Sequence, residues 1–129
     1  MPTYAYNYIQ SYDLQPFISG NTWQGIDTIT ITRNGSALDL TGAFAHMDVK
    51  FHLDSPLIVQ FNTNVTVPFL SAGYGKMTIL DPASAGNLRI PPQVVSLPPA
   101  DYIYSIKVTL ASGEVDTFVT GKWPVIVTA

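Results

Sequence analysis

Three residues near the middle of the chain could bind a metal ion: His46, Asp48 and His52. Imidazole nitrogens and carboxylate oxygens are common zinc ligands. Alternate residues of a strand face the same side, so the three share one face of a predicted strand. However, His46 and His52 are separated by roughly 20 Å in an extended chain, too far to share one ion without a sharp bend. The spacing therefore favours a solvated polar face, with no metal and no other cofactor.

The nine acidic residues could supply general acids or bases. A glycosidase needs two carboxyl groups facing each other across a cleft. Four of the nine fall at predicted turns, where aspartate commonly hydrogen-bonds the backbone; these are Asp39, Asp54, Asp81 and Asp101. The chain also contains no Gly-x-Ser-x-Gly motif, no phosphate-binding loop and no cysteine. We therefore expect no enzymatic activity and assign no catalytic residue.

Aromatic residues offer two kinds of binding surface. Trp23, Trp123 and Tyr74 could stack on a sugar, or the two tryptophans could instead plug the core at the ends of a β-sandwich. The N-terminal segment, residues 1–12, is rich in tyrosine, and an extended backbone would place three of its rings on one side. That segment either docks on a neighbouring subunit or covers the edge of its own domain. The candidate partner-interface residues are Tyr4, Tyr6, Tyr8, Tyr12, Trp23 and Tyr74.

Composition limits the remaining classes of function. The 129 residues suit one domain, and the net charge is −3 with a pI of about 4.9. The six Lys and Arg residues are scattered along the sequence, which argues against nucleic-acid binding. No apolar stretch approaches the ~20 residues of a membrane span, and the N-terminus does not resemble a signal peptide. We therefore expect neither nucleic acid nor membrane as a partner.

Short alternating segments predict the fold. The clearest is a hairpin from Ala100 to Lys122 that turns at Ala111-Ser112-Gly113. About eight to ten short strands are predicted, with one helical turn at residues 81–86 and an irregular, proline-rich crossover at 88–99. Such a pattern indicates an all-β antiparallel sandwich or barrel. The predicted core comprises Ile29, Ile31, Met47, Val49, Phe51, Tyr102, Tyr104, Ile106 and Val108.

The order of these motifs resembles a group of tailed-bacteriophage modules, the immunoglobulin-like β-sandwiches of baseplate and tail-fibre proteins, including the N-terminal domain of baseplate upper proteins. The resemblance spans residues 20–128. Its motifs are Gly20-Asn21-Thr22-Trp23, Ile29-Thr30-Ile31, Asn34-Gly35, Leu38-Asp39-Leu40-Thr41-Gly42-Ala43, Met47-Asp48-Val49-Lys50, Gly75-Lys76-Met77-Thr78-Ile79, the stretch Leu97 to Ile106, Ser112-Gly113-Glu114-Val115 and Thr120-Gly121. This chain departs in having Asp101 where glycine is often seen, a tyrosine-rich start and the long proline-rich crossover.

The resemblance implies a fold and a role. It implies a single antiparallel immunoglobulin-like β-sandwich over residues 13–129, preceded by the N-terminal arm 1–12. It further implies a non-enzymatic virion protein, assembled in the host cytoplasm in several copies, that contacts other virion proteins at a baseplate, fibre-attachment site or neck. A carbohydrate-binding module for a host-surface glycan and a capsid decoration protein are the alternatives.

Overall fold

A computed structural model describes residues 10–33, 35–52, 54–66, 70 and 73–127. As predicted, the described chain is all-β, with a single 3-10 turn at Ala83–Ala85. Its fourteen strands exceed the expected eight to ten because many contain only two residues. They are β1 Gln10–Ser11, β2 Phe17–Ile18, β3 Thr22–Trp23, β4 Ile26–Thr30, β5 Thr32–Arg33, β6 Ser36–Ala37, β7 Phe44–Lys50, β8 Val59–Asn62, β9 Tyr74–Lys76, β10 Thr78–Ile79, β11 Asn87–Ile90, β12 Gln93–Val94, β13 Ala100–Thr109 and β14 Val115–Ile126.

One large sheet organises the molecule. Its strand order is β1-β14-β13-β7-β8-β9, β2 also pairs with β14, and the sheet curls into half a barrel. The predicted hairpin is its centre, and Gly113 adopts the positive φ that the turn requires, 94°. The second strand of the hairpin, β14, runs unbroken from Val115 to Ile126 and so extends past the predicted end of the hairpin at Lys122. Gly121 therefore lies within a strand rather than in a turn.

The large sheet is not purely antiparallel, which corrects the prediction. Strands β1 and β2 both run parallel to β14, and β9 runs parallel to β8. Alternation along a strand specifies which residues face the core, but it carries no information about the direction of the neighbouring strand. The direction is decided by where the chain returns to the sheet edge.

Three smaller sheets complete the fold, with strand orders β10-β11-β4, β12-β3 and β5-β6. The expectation of an irregular crossover over residues 88–99 was wrong at two places, since β11 is the central strand of the first of these sheets and β12 pairs with β3. Proline blocks a central strand by lacking an N–H group, but Pro91 follows the end of β11. Strand pairing is therefore unhindered up to Ile90.

The predicted core is largely confirmed. Seven of the nine residues are buried, and Ile29 is partly buried against them. Phe51 was wrongly placed inside, because it is 41% exposed just after the end of β7. The last pair between β7 and β8 is Val49 with Val59, so within the described ranges β8 does not extend alongside Phe51. Its ring stacks on Tyr102 with centroids 5.2 Å apart.

Shortening one central side chain provides a test of this core. Ile106 is fully buried on β13 between β7 and β14. We expect Ile106→Val to lower the free energy of unfolding by about 0.5–1.5 kcal/mol, through lost burial and a small cavity. Urea unfolding followed by circular dichroism measures the change, and Val127→Ala, at an exposed position, serves as the control. If the two variants lose the same free energy of unfolding, Ile106 does not face the core.

Candidate functional site on the outer face of the large sheet

The side of the large sheet that faces away from the core is called the outer face here. Register places one row of its side chains across five neighbouring strands. From β9 to β14 the row is Tyr74, Gln60, Asp48, Ser105 and Thr120. Polar residues dominate because these positions alternate with the buried positions of the same strands.

Asp48 is the centre of a hydrogen-bonded cluster on this face. Its Oδ1 atom lies 2.8 Å from Nδ1 of His46 and accepts a 2.8 Å hydrogen bond from Nε2 of Gln60. Asn62 in turn donates through Nδ2 to Oε1 of Gln60 at 2.9 Å. Lys107 Nζ lies 4.0 Å from the other carboxylate oxygen. These neighbours leave Asp48 only 8% exposed. The prediction of a solvated polar face was therefore wrong for this residue.

The surroundings of Asp48 favour its charged form. Burial alone would raise the pKa of this carboxyl. The hydrogen bonds from His46 and Gln60, together with the attraction of Lys107 and of His46 in its protonated form, outweigh burial and hold the pKa below its ordinary value. The folded protein therefore binds a proton at Asp48 less readily than the unfolded chain does.

This pKa shift predicts a pH-dependent contribution to stability. A depressed carboxyl pKa stabilises the fold above the unfolded-state pKa of about 4, and the contribution is lost as pH falls through the folded-state pKa. We expect Asp48→Asn to cost roughly 1–3 kcal/mol at pH 7 because the charged hydrogen bonds are lost. Urea unfolding from pH 7 to pH 3 should show the difference from wild type shrinking as pH falls. A difference that is constant across this range would contradict the assignment.

A groove of about 400 Å³ runs beside the cluster. Asp48 and Lys50 line it from β7, and Thr117 and Thr120 line it from β14. Strand β13 supplies the floor with Ile103, Tyr104, Ser105 and Lys107. The groove thus combines hydroxyl groups, two ammonium groups, the Asp48 carboxylate and the apolar side chain of Ile103.

The structure does not assemble the three residues that resembled a zinc site. His52 is exposed beyond the end of β7, whereas His46 and Asp48 contact each other. No group of three His, Asp or Glu side chains within the described ranges could hold a metal ion. His46 and Asp48 therefore act as partners in a hydrogen-bonded cluster.

The aromatic residues divide into a buried cluster and an exposed ring. Trp23 is 7% exposed and its ring lies 4.5 Å from that of Trp123 and 5.4 Å from that of Phe61. The interpretation of the tryptophans as core plugs is confirmed, and burial removes Trp23 from the surface on which a partner or a sugar would bind. Tyr74 is 47% exposed on β9, outside this aromatic cluster. The three-residue sugar platform is therefore not formed.

The end of the N-terminal segment docks on its own domain. Gln10 and Ser11 pair with Val119 and Thr120 of β14, and the Tyr12 amide donates to the Thr120 carbonyl at 2.8 Å. The Tyr104 hydroxyl donates to the Tyr12 carbonyl, and burial raises the pKa of that hydroxyl. The Tyr12 side chain is nevertheless 59% exposed. Tyr4, Tyr6 and Tyr8 lie outside the described residues, so their interface role stays a prediction.

Sequence reasoning missed one exposed apolar pair. Phe51 and Leu57 flank the turn between β7 and β8, and each is about two-fifths exposed. The available signal was a large apolar residue on either side of the predicted Asp54-Ser55-Pro56 turn. Phe51 was instead assigned to the core because it continues the alternation of β7.

Comparison with known protein families finds no match to this chain, and comparison with curated proteins finds no similar sequence. Within the described part of the chain, no helix is long and apolar enough to cross a membrane.

Proposed function

We propose that this chain is a non-enzymatic structural protein of a bacteriophage virion, in the tail, where it works through contacts with other virion proteins and with copies of itself. The observation that carries the proposal is the exposed pair Phe51 and Leu57. Large apolar side chains held at a hairpin end, one stacked on buried Tyr102, suit the anchors of a protein–protein interface. Only 12% of the residues are charged, which suits a surface that neighbouring subunits cover.

We further propose that the fold is immunoglobulin-like. The Tyr102 hydroxyl donates to the Pro98 carbonyl, four residues upstream, at 2.5 Å. A tyrosine that bonds back to the backbone just before its strand is the tyrosine corner of immunoglobulin-like sandwiches. The motif Leu38–Ala43 also forms a local structure, since the Thr41 amide and hydroxyl both donate to Asp39 Oδ1, at 3.0 and 2.6 Å. Both features lie in segments that carry the phage resemblance.

Carbohydrate binding through aromatic stacking is less well supported. It depended on Trp23 and Trp123, and both are buried. The exposed rings of Tyr12 and Tyr74 fit a protein interface equally well, because tyrosine buries a large ring and keeps a polar tip. The assembly role is therefore the conclusion we draw.

Particle composition tests the proposal directly. Phage particles purified from the source of this sequence should contain the chain by mass spectrometry, and antibody against the purified chain should label their tails in immunogold electron micrographs. Capsid labelling would favour a decoration protein instead. Absence of the chain from purified particles would overturn the virion assignment.

A deletion of residues 2–9 tests the interface role of Tyr4, Tyr6 and Tyr8. The deletion leaves β1 and Tyr12 in place, so we expect the melting temperature to stay close to that of the full chain. We expect the full chain to sediment as an oligomer and the deleted chain as a monomer, because the tyrosine anchors are lost. A large fall in melting temperature with the oligomer retained would assign these tyrosines to their own domain.

A further inference from the structure

Four of the six basic residues of this acidic chain lie on the outer face, although they are scattered in the sequence. Lys50 and Lys122 both lie opposite Ile103, on β7 and β14. Lys107 lies opposite His46, and Lys76 opposite Asn62. The other two, Arg33 and Arg89, belong to smaller sheets. The fold thus gathers positive charge that the sequence disperses.

Few carboxylates oppose these lysines. Asp48 is already hydrogen-bonded to His46 and Gln60, Asp101 lies near one end of β13, and Asp13 accepts a hydrogen bond from the Lys122 backbone at the sheet edge. The remaining acidic residues lie in turns, in a smaller sheet, or beside Arg33; they are Asp27, Asp39, Asp54, Asp81, Glu114 and Asp116. Within the described residues, neither Lys50 nor Lys122 forms an ion pair with a carboxylate. Their charges are available to a ligand.

We infer that the groove on the outer face binds an acidic, extended polypeptide segment of a partner protein. The inference rests on the proposed role in protein–protein contacts and names the chemistry of one partner. Lys50, which has no ion pair among the described residues, and Lys107, whose Nζ lies 4.0 Å from Asp48, line the groove and would pair with carboxylates of the peptide. Ser105, Thr117 and Thr120 offer hydroxyl groups to the peptide backbone.

The spacing of the lysines fits an extended peptide. Ile103 lies opposite both Lys50 and Lys122, and Lys107 lies four positions after Ile103 on β13. That distance is about 13 Å along the strand. In an extended peptide, side chains on one side are spaced about 7 Å apart, at every second residue. Two carboxylates four residues apart are therefore separated by about the same distance as the lysines.

Other occupants match the groove less well. Residues 1–9 contain no Asp or Glu, so the chain's own N-terminal segment lacks the complementary charge. A nucleic acid presents a continuous row of phosphates that needs many cationic partners, whereas only two lysines line the groove, Asp101 shares the face and the chain is net negative. A polypeptide can place a few carboxylates where lysines lie and uncharged residues elsewhere.

A peptide titration tests the inference. The probe is a fluorescein-labelled decapeptide of alternating glutamate and threonine, and the comparison probe replaces glutamate with glutamine. We expect the acidic peptide alone to bind by fluorescence anisotropy at low salt, to weaken with added salt, and to shift amide resonances of β7, β13 and β14 in a labelled protein. No binding at low salt, or shifts confined to the smaller sheets, would overturn the inference.

Matched variants locate the site. Lys50→Gln with Lys107→Gln should weaken the acidic peptide by about tenfold or more. Gln24→Glu with Thr28→Glu lowers the net charge equally at exposed positions off the large sheet, and it should change affinity less than about twofold. If the double variant folds poorly, Lys50→Gln alone provides the test, because it leaves the contact of Lys107 with Asp48 intact. This single variant should also weaken binding of the acidic peptide. Equal affinity for all variants would overturn the inference.

Two further outcomes separate this inference from the proposed function. Tighter binding of polygalacturonate than of the acidic peptide would overturn the polypeptide as occupant. If the chain is present in particles but binds no acidic peptide, the inference about the groove is overturned and the proposed virion role is not. If the chain binds the acidic peptide but is absent from particles, the preference of the groove for acidic peptides is supported and only the proposed virion role is overturned.

Discussion

Replacing Trp123 by alanine is expected to lower the free energy of unfolding by about 3–5 kcal/mol, a large part of the stability of a small domain. The Trp123 side chain is fully buried, and its ring lies 4.5 Å from that of Trp23 and 6.1 Å from those of Phe17 and Phe61. Its indole nitrogen has no hydrogen-bond partner among the described residues. The loss therefore comes from packing and cavity formation, not from a broken hydrogen bond.

Two variants define the expected result for Trp123. Trp123→Phe keeps most of the ring volume and loses no hydrogen bond, so it should cost clearly less than the alanine variant. Tyr74→Ala removes an aromatic ring of similar size from an exposed position, and it should stay within about 0.5 kcal/mol of wild type. Urea unfolding measures all three. If Trp123→Ala lowers the free energy of unfolding as little as Tyr74→Ala does, the aromatic cluster around Trp123 is not central to the stability of the fold.

The second large effect is expected at Gly121. A Cβ atom at this position would lie 1.8 Å from the Tyr12 carbonyl oxygen and 2.8 Å from the Tyr104 ring. Because the first obstacle is backbone, Gly121→Ala must push the N-terminal segment off β14. That movement breaks the pairing of β1 and the hydrogen bond from Tyr104 to Tyr12. We expect a loss of roughly 3 kcal/mol or more, from steric strain and an unsatisfied buried hydroxyl.

A double-mutant cycle isolates this contact. Deleting residues 2–12 removes the carbonyl that meets the new Cβ atom, so most of the Gly121→Ala penalty should disappear in the deleted chain. Unfolding free energies of the four proteins give the interaction energy. If the penalty is the same with and without residues 2–12, Gly121 acts through something other than the approach of Tyr12.

Local patterns in the sequence were enough to predict the all-β class of the fold and the central residues of its core. Strict alternation in β13 placed Tyr102, Tyr104, Ile106 and Val108 on one face, and the structure buries all four. Period-two alternation works because the side-chain direction in a strand is a local property of the backbone. The turn at Gly113 was equally local, since its positive φ favours glycine.

Alternation failed where the position of a neighbouring segment mattered. Phe51 continues the pattern of β7 but lies beyond the last paired residues, so it is exposed. The alternation pattern assigned no role to Gly121, yet a glycine is needed there because Tyr12, 109 residues earlier in the chain, passes against it. Neither fact can be derived from the residues adjacent in sequence.

The candidate site depends on contacts between residues that are distant in the sequence. Asp48 and Gln60 are twelve residues apart and meet because β7 and β8 pair in one register. The lysines of the outer face come from four different strands, β7, β9, β13 and β14. A shift of one residue in any of these pairings would turn the side chains of that strand to the opposite face. Strand order and register, which are long-range properties of the chain, therefore created both the buried carboxylate and the basic groove.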